Sequence, residues 1–146
     1  MRITPDTGIL VRANAKATGP AKEFFHIVQQ TGARLVLSPF LLNEVNRALM
    51  YPRLQALYRL SEEEIAEHLR YLESLADVVT PAEGPPVVLK DPDDDPVVYT
   101  AVAGQADIIC TVDRHFYEPS VLAFCARRRI LVMNDVELLH AMRSQE

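Results

Sequence analysis

Long apolar runs, cysteine pairs and positive charge are what this 146-residue sequence has little of, and each shortage removes a class of function. No apolar stretch approaches the roughly 20 residues a membrane span requires, and the opening MRITPDTGIL lacks the basic segment and apolar run of a secretory leader. The expectation is a cytoplasmic protein with no membrane association. Only two cysteines are present. Cys110, in an apolar run, and Cys125, in a helical pattern, lack CxxC spacing and read as small packed hydrophobes rather than as a disulfide or zinc ligands. Basic residues are outnumbered 15 to 20, for a net charge of −5 and a pI near 5.4. That balance argues against a protein that coats nucleic acid through a general positive field. It leaves a nuclease open, because a bound cation reverses the local sign where carboxylates serve as its ligands. The one dense basic cluster, Arg127, Arg128 and Arg129, reads as a helix end favoured by the macrodipole.

Hydrophobic residues make up 49% of the chain, enough for a core of its own, so residues 1–146 are expected to form a single domain. Strand and helix alternate along it. MRIT is a candidate strand running into Pro5 and Asp6, residues 20–31 read as a helix stopped by Gly32, and residues 33–38 are rich in β-formers. Proline is unusual inside a central strand, so Pro5 predicts that the first strand ends early and shifts Asp6. Ser38 followed by Pro39 marks an N-cap and first helical turn for a helix through Met50, with Glu44 on the flank of its apolar face. Tyr51-Pro52 breaks that helix. The next starts at Ser61, where Ser61 and Glu64 can form a capping box, and the two helices are expected to pair as a hairpin. Asp77–Val79 suggests a short strand, residues 96–105 a helix, ADIICTVD at 106–113 a continuous strand, residues 115–127 a helix, and residues 129–133 a strand before a helix capped by Asn134 with Glu137. Strands apolar on successive residues and separated by helices predict an α/β fold with a parallel sheet covered on both faces. Ligands in such sheets collect beyond the carboxyl ends of the strands.

Four acids stand where a strand ends or a helix begins: Asp6, Glu44, Asp94 and Asp113. Two carboxylates about 4 Å apart repel by roughly 4 kcal/mol at an effective dielectric near 20, so several sharing a pocket imply a cation or bound protons. Hard oxygen donors select Mg²⁺, Mn²⁺ or Ca²⁺. Each acid also has an ordinary reading. Asp6 in PDTG suits a turn made permissive by Gly8, Glu44 suits an i,i+3 ion pair with Arg47, and Asp113 suits an N-cap. The run DPDDDP is not an EF-hand, since Pro96 stands where glycine is required and Val102 where a bidentate glutamate belongs. Asp95, preceding Pro96, reads as an N-cap, which leaves Asp94 or Asp91 as the candidate ligand. A receiver or phosphatase domain fits less well: no lysine follows a late strand and no DxDx[TV] follows the first.

Taken together, PDTGILVRA, SPFLLNEVNRAL and DPDDDPVVYTAVAGQADIICTVDRHF resemble the PIN-domain ribonucleases, specifically the VapC-like toxin components of toxin–antitoxin systems. The resemblance covers nearly the whole chain. It implies a three-layer α/β/α sandwich, and it places the family's metal-binding and catalytic acids on Asp6, Glu44, Asp94 and Asp113, with Asp91 and Asp95 in reserve. Asp94 is chosen because it stands seven residues before Ala101. Thr7 and Thr111 would orient the carboxylates, and Arg114 and His115 would contact phosphate. Gly8 stands where the family has asparagine, and Pro5 where it has an apolar strand residue. The implied function is Mg²⁺- or Mn²⁺-dependent cleavage of RNA by a homodimer controlled by an antitoxin. A second chain would cover the helices at 38–50 and 61–76. The rival is a PIN fold that binds RNA or a protein partner without cutting.

Overall fold

A computed structural model describes residues 1–144. Five parallel strands form its one sheet among the described residues: β1 (Arg2–Pro5), β2 (Arg34–Leu37), β3 (Ala76–Val78), β4 (Ile108–Cys110) and β5 (Leu131–Met133), in the order β3-β2-β1-β4-β5. Among the described residues eight helices accompany it: α1 (Thr7–Val11), α2 (Pro20–Gln30), α3 (Pro39–Met50), α4 (Pro52–Tyr58), α5 (Glu62–Ser74), α6 (Asp95–Ala103), α7 (Pro119–Ala126) and α8 (Asp135–Ser144). This is the α/β/α sandwich that the family resemblance implies, built on the parallel sheet expected from alternating strands and helices. The chain winds outward from β1 to β3, then returns to the other side of β1 with β4. The winding therefore reverses between β1 and β4, and a crevice opens beyond their carboxyl ends, where such sheets bind ligands.

The central strands are buried along their length, with Ile3, Leu35, Val36, Ile109 and Cys110 all fully excluded from solvent. Helix starts follow local chemistry. Ser38 caps α3 by accepting from the Leu41 amide, Ser61 and Glu64 form the reciprocal capping box of α5, and Asn134 and Glu137 exchange side-chain and amide hydrogen bonds at the start of α8. Both cysteines are buried and unpaired. Arg128 lies over the Phe124 ring at 3.6 Å and donates to the Phe124 carbonyl, so the arginine cluster does end a helix.

Several sequence expectations are corrected. β1 does not stop short of Pro5, which pairs with Cys110, and the Asp6 amide still donates to the Cys110 carbonyl at 3.0 Å. The proline nitrogen faces β2, where the parallel register puts the Val36 carbonyl opposite it. That carbonyl accepts instead from the Thr4 hydroxyl at 3.0 Å, which supplies the donor proline lacks. Gly8 is helical within α1 and has no positive φ, so it serves no turn. The strand expected at 106–113 is shorter, Ile108–Cys110, with backbone hydrogen bonds to its neighbours reaching Asp107 and Thr111. The simple helical hairpin is interrupted by α4, because Pro52 takes the first position of a new helix as well as ending the old one.

Candidate metal centre

Asp6 and Asp113 leave β1 and β4, the two strands that flank the crevice. Asp6 caps α1, its Oδ1 accepting from the Ile9 amide at 3.0 Å, while its Oδ2 accepts a hydrogen bond from the Thr111 hydroxyl. The same hydroxyl accepts from the Asp113 amide at 3.0 Å. Thr111 thus ties together the acids after two neighbouring strands, and Tyr117 steadies it by donating to its carbonyl at 2.8 Å. Burial pushes the Tyr117 phenol up to about 12. Asp113 combines both of its sequence readings: Oδ1 caps the 3-10 turn Arg114–Tyr117 by accepting from the His115 amide at 2.9 Å, and the residue still faces the crevice.

The third wall comes from residues 91–95. A 3-10 turn at Pro92–Asp94 brings Asp91 and Asp94 to one side, so that donor atoms of Asp91, Asp94, Asp113 and His115 all lie within 4.8 Å of one another. Asp94 Oδ2 is buried with no hydrogen-bond partner. Burial raises the Asp94 pKa to about 8, helped by the Asp91 charge and by the nearby Asp113 and Asp6 carboxyls. Asp6 is likewise held above the usual carboxylate range, chiefly by burial, against the opposing effects of its Thr111 and Ile9 hydrogen bonds. Asp6, Asp94 and Asp113 border one cavity of about 990 Å³.

Glu44 stands apart from this cluster. It is partly exposed on α3 and pairs with Arg47 at 3.3 Å, as its ordinary reading predicts, yet it borders an adjoining hollow with Thr7, Asp93 and Asp94. Thr7 and Asp94 are common to both hollows. Asp95 does not cap the helix before Pro96. It is the first residue of α6, and its Oδ1 accepts the Val87 and Val88 amides at 3.1 and 2.7 Å, anchoring the preceding loop. Arg114 is exposed beside Asp113. His115, read from the sequence only as a phosphate contact, reaches into the acidic cluster, with Nδ1 buried, unpartnered and 3.6 Å from Asp113 Oδ1.

A family model described as PIN domain matches residues 2–115, the stretch that carries every acid above. The chain belongs to the PIN domain family. Comparison with curated proteins and with solved structures found no match. The PIN fold is a nuclease fold that uses divalent metals, and the donor set here fits such an ion. Half-buried carboxylates crowd together, and one oxygen, Asp94 Oδ2, is buried with no partner. A divalent cation among these oxygens would supply the missing positive charge. β5 and α8 lie beyond the matched stretch, where Asp135 pairs with Arg12 at 3.6 Å.

Proposed function

We propose that this PIN domain is a Mg²⁺- or Mn²⁺-dependent endoribonuclease and the toxin of a toxin–antitoxin pair. The buried, unpartnered Asp94 oxygen among neighbouring carboxylates carries the reading, because a protein gains nothing in stability from such crowding unless a cation joins it. Asp6, Asp94 and Asp113 hold the ion, with Asp91 in reserve; Asp95, the other sequence reserve, is engaged by the Val87 and Val88 amides. When bound, the ion stabilises charge on the phosphate and lowers the pKa of a water.

The chain's own residues do the rest. Thr111 fixes the Asp6 carboxylate and the Asp113 backbone at once, so the two acids keep one relative orientation. Glu44, on the adjoining wall, accepts the proton of the attacking water, and Thr7 lies between the two hollows to orient it. Arg114 and His115 receive phosphate, His115 being also near enough to the acids to bind the ion itself. A homodimer using α3 and α5, and an antitoxin arginine that pairs with the carboxylates, complete the proposal.

The second reading, a PIN fold that binds without cutting, draws on the Glu44–Arg47 pair, which engages the expected proton acceptor elsewhere. Incubation with RNA separates the two. Cleavage in Mg²⁺ or Mn²⁺ that EDTA stops, and that Asp6→Asn abolishes in a folded variant, is the expected result. RNA binding without cleavage supports the second reading. Arrest of growth on overexpression is expected of the toxin role.

A further inference from the structure

The cavity of about 990 Å³ is acidic on one side only. Its remainder is apolar, formed by Tyr51, Leu54, Leu57 and Val112, and bordered by Arg12 and Arg53. Tyr51, Leu57 and Val112 keep 54, 67 and 54% of their surface exposed, so their apolar surface is not consumed by the core. Val112 lies between Thr111 and Asp113 in sequence, which makes the apolar floor continuous with the acidic wall. Both cations retain unmet capacity. Arg12 Nη2 is buried without a hydrogen-bond partner, its ion pair to Asp135 being 3.6 Å long, and Arg53 has no salt bridge among the described residues.

We propose that this apolar floor seats one unpaired base of the RNA, with Tyr51 as its stacking face and Arg12 and Arg53 taking the flanking phosphates; this rests on the nuclease reading above. The charges decide the occupant. The three acids of the cavity carry −3, so one divalent cation leaves −1 against the two guanidiniums of Arg12 and Arg53, a net +1 that favours an occupant with a flat apolar body and anionic links on either side. A base in a duplex is stacked on both faces and cannot enter, so the seat selects single strands. Tyr51 is a positioning residue: it holds the strand so that a neighbouring phosphate faces the acids and takes no part in bond breaking.

The test uses a fluorescein-labelled 12-nucleotide RNA with Mn²⁺ and the full chain carrying Glu44→Gln, which keeps the three ion-holding acids and removes the proton acceptor, to read binding apart from cleavage. The expected result is binding to the single strand over the matching duplex, weakened about tenfold by Tyr51→Ala and restored by Tyr51→Phe, as base–aromatic stacking predicts. Arg53→Gln should lower the salt dependence of binding by about one phosphate contact. In the cleaving protein, Tyr51→Ala should raise KM and leave kcat unchanged. Cleavage with binding and KM indifferent to Tyr51→Ala would overturn the base seat while the nuclease reading stands. Tyr51-dependent RNA binding without cleavage by the unmutated protein would support the seat and remove the nuclease reading. No RNA binding, or Tyr51-dependent capture of a basic amphipathic peptide with RNA binding unaffected, would overturn the seat.

Discussion

At the scale of single residues, Thr111 joins the acids that follow β1 and β4, because one hydroxyl both donates to Asp6 and accepts from the Asp113 amide. Thr111→Val keeps the shape and removes both bonds. It is expected to weaken Mn²⁺ affinity or activity by about 10–100-fold, as loss of a ligand-orienting group does, and titration calorimetry reads this directly. The predicted effect of Asp94→Asn on stability has the opposite sign. Removing a carboxylate whose charged form is opposed by burial and by Asp91 should leave the metal-free protein as stable as before or more so, measured by urea unfolding at neutral pH. Asp6 and Asp113 were legible in the sequence as acids ending apolar β-type runs. The choice of Asp94 came from family spacing. The position of His115 was not legible, since it depends on two 3-10 turns, Pro92–Asp94 and Arg114–Tyr117, folding toward each other across the crevice.

Among the elements, capped helices were the easiest to read and short ones the hardest. The Ser38, Ser61 and Asn134 caps are local chemistry, and each helix begins where its cap indicates. α4 has only seven residues, no buried side chain and a proline at its start, so its sequence looks like a break. α5 is fastened to α1 by His68, whose buried ring must donate from Nε2 to the Leu10 carbonyl at 2.9 Å, since a carbonyl can only accept. Burial lowers the His68 pKa below its usual 6.5. The unfolded chain therefore binds the proton more readily than the folded one, and the His68 contribution to stability should decline as pH falls through the ordinary histidine range. Urea unfolding at pH 7.5 and 5.5 should show a smaller loss in His68→Gln than in the unmutated protein. Where α6 ends, a side chain at Gly104 would run into Val36 of β2. Gly104→Ala is expected to cost about 1–3 kcal/mol through overpacking, read from the urea midpoint.

For the whole molecule, strand order explains how acids 107 residues apart in sequence, Asp6 and Asp113, come to border one cavity. The parallel, doubly covered sheet was legible from apolar runs spaced by helices, but its order was not, because neither the direction of winding nor the return of β4 to the far side of β1 is written in local pattern. Net charge gave little guidance, since the cations that matter, Arg12 and Arg53, only become neighbours of the acids through folding. A cation bound only by the folded chain should stabilise it by about 2.7 kcal/mol at one hundred times its dissociation constant. A rise in Tm with millimolar Mn²⁺, absent in Asp94→Asn, is the expected outcome. Whether these carboxylates hold a divalent ion is read from a crystal structure grown with Mn²⁺ and its anomalous scattering. A manganese peak ligated by Asp94 and Asp113 within reach of Asp6 is the expected result. A crevice without a peak at millimolar Mn²⁺, its carboxylates engaged by the protein's own side chains, would contradict it.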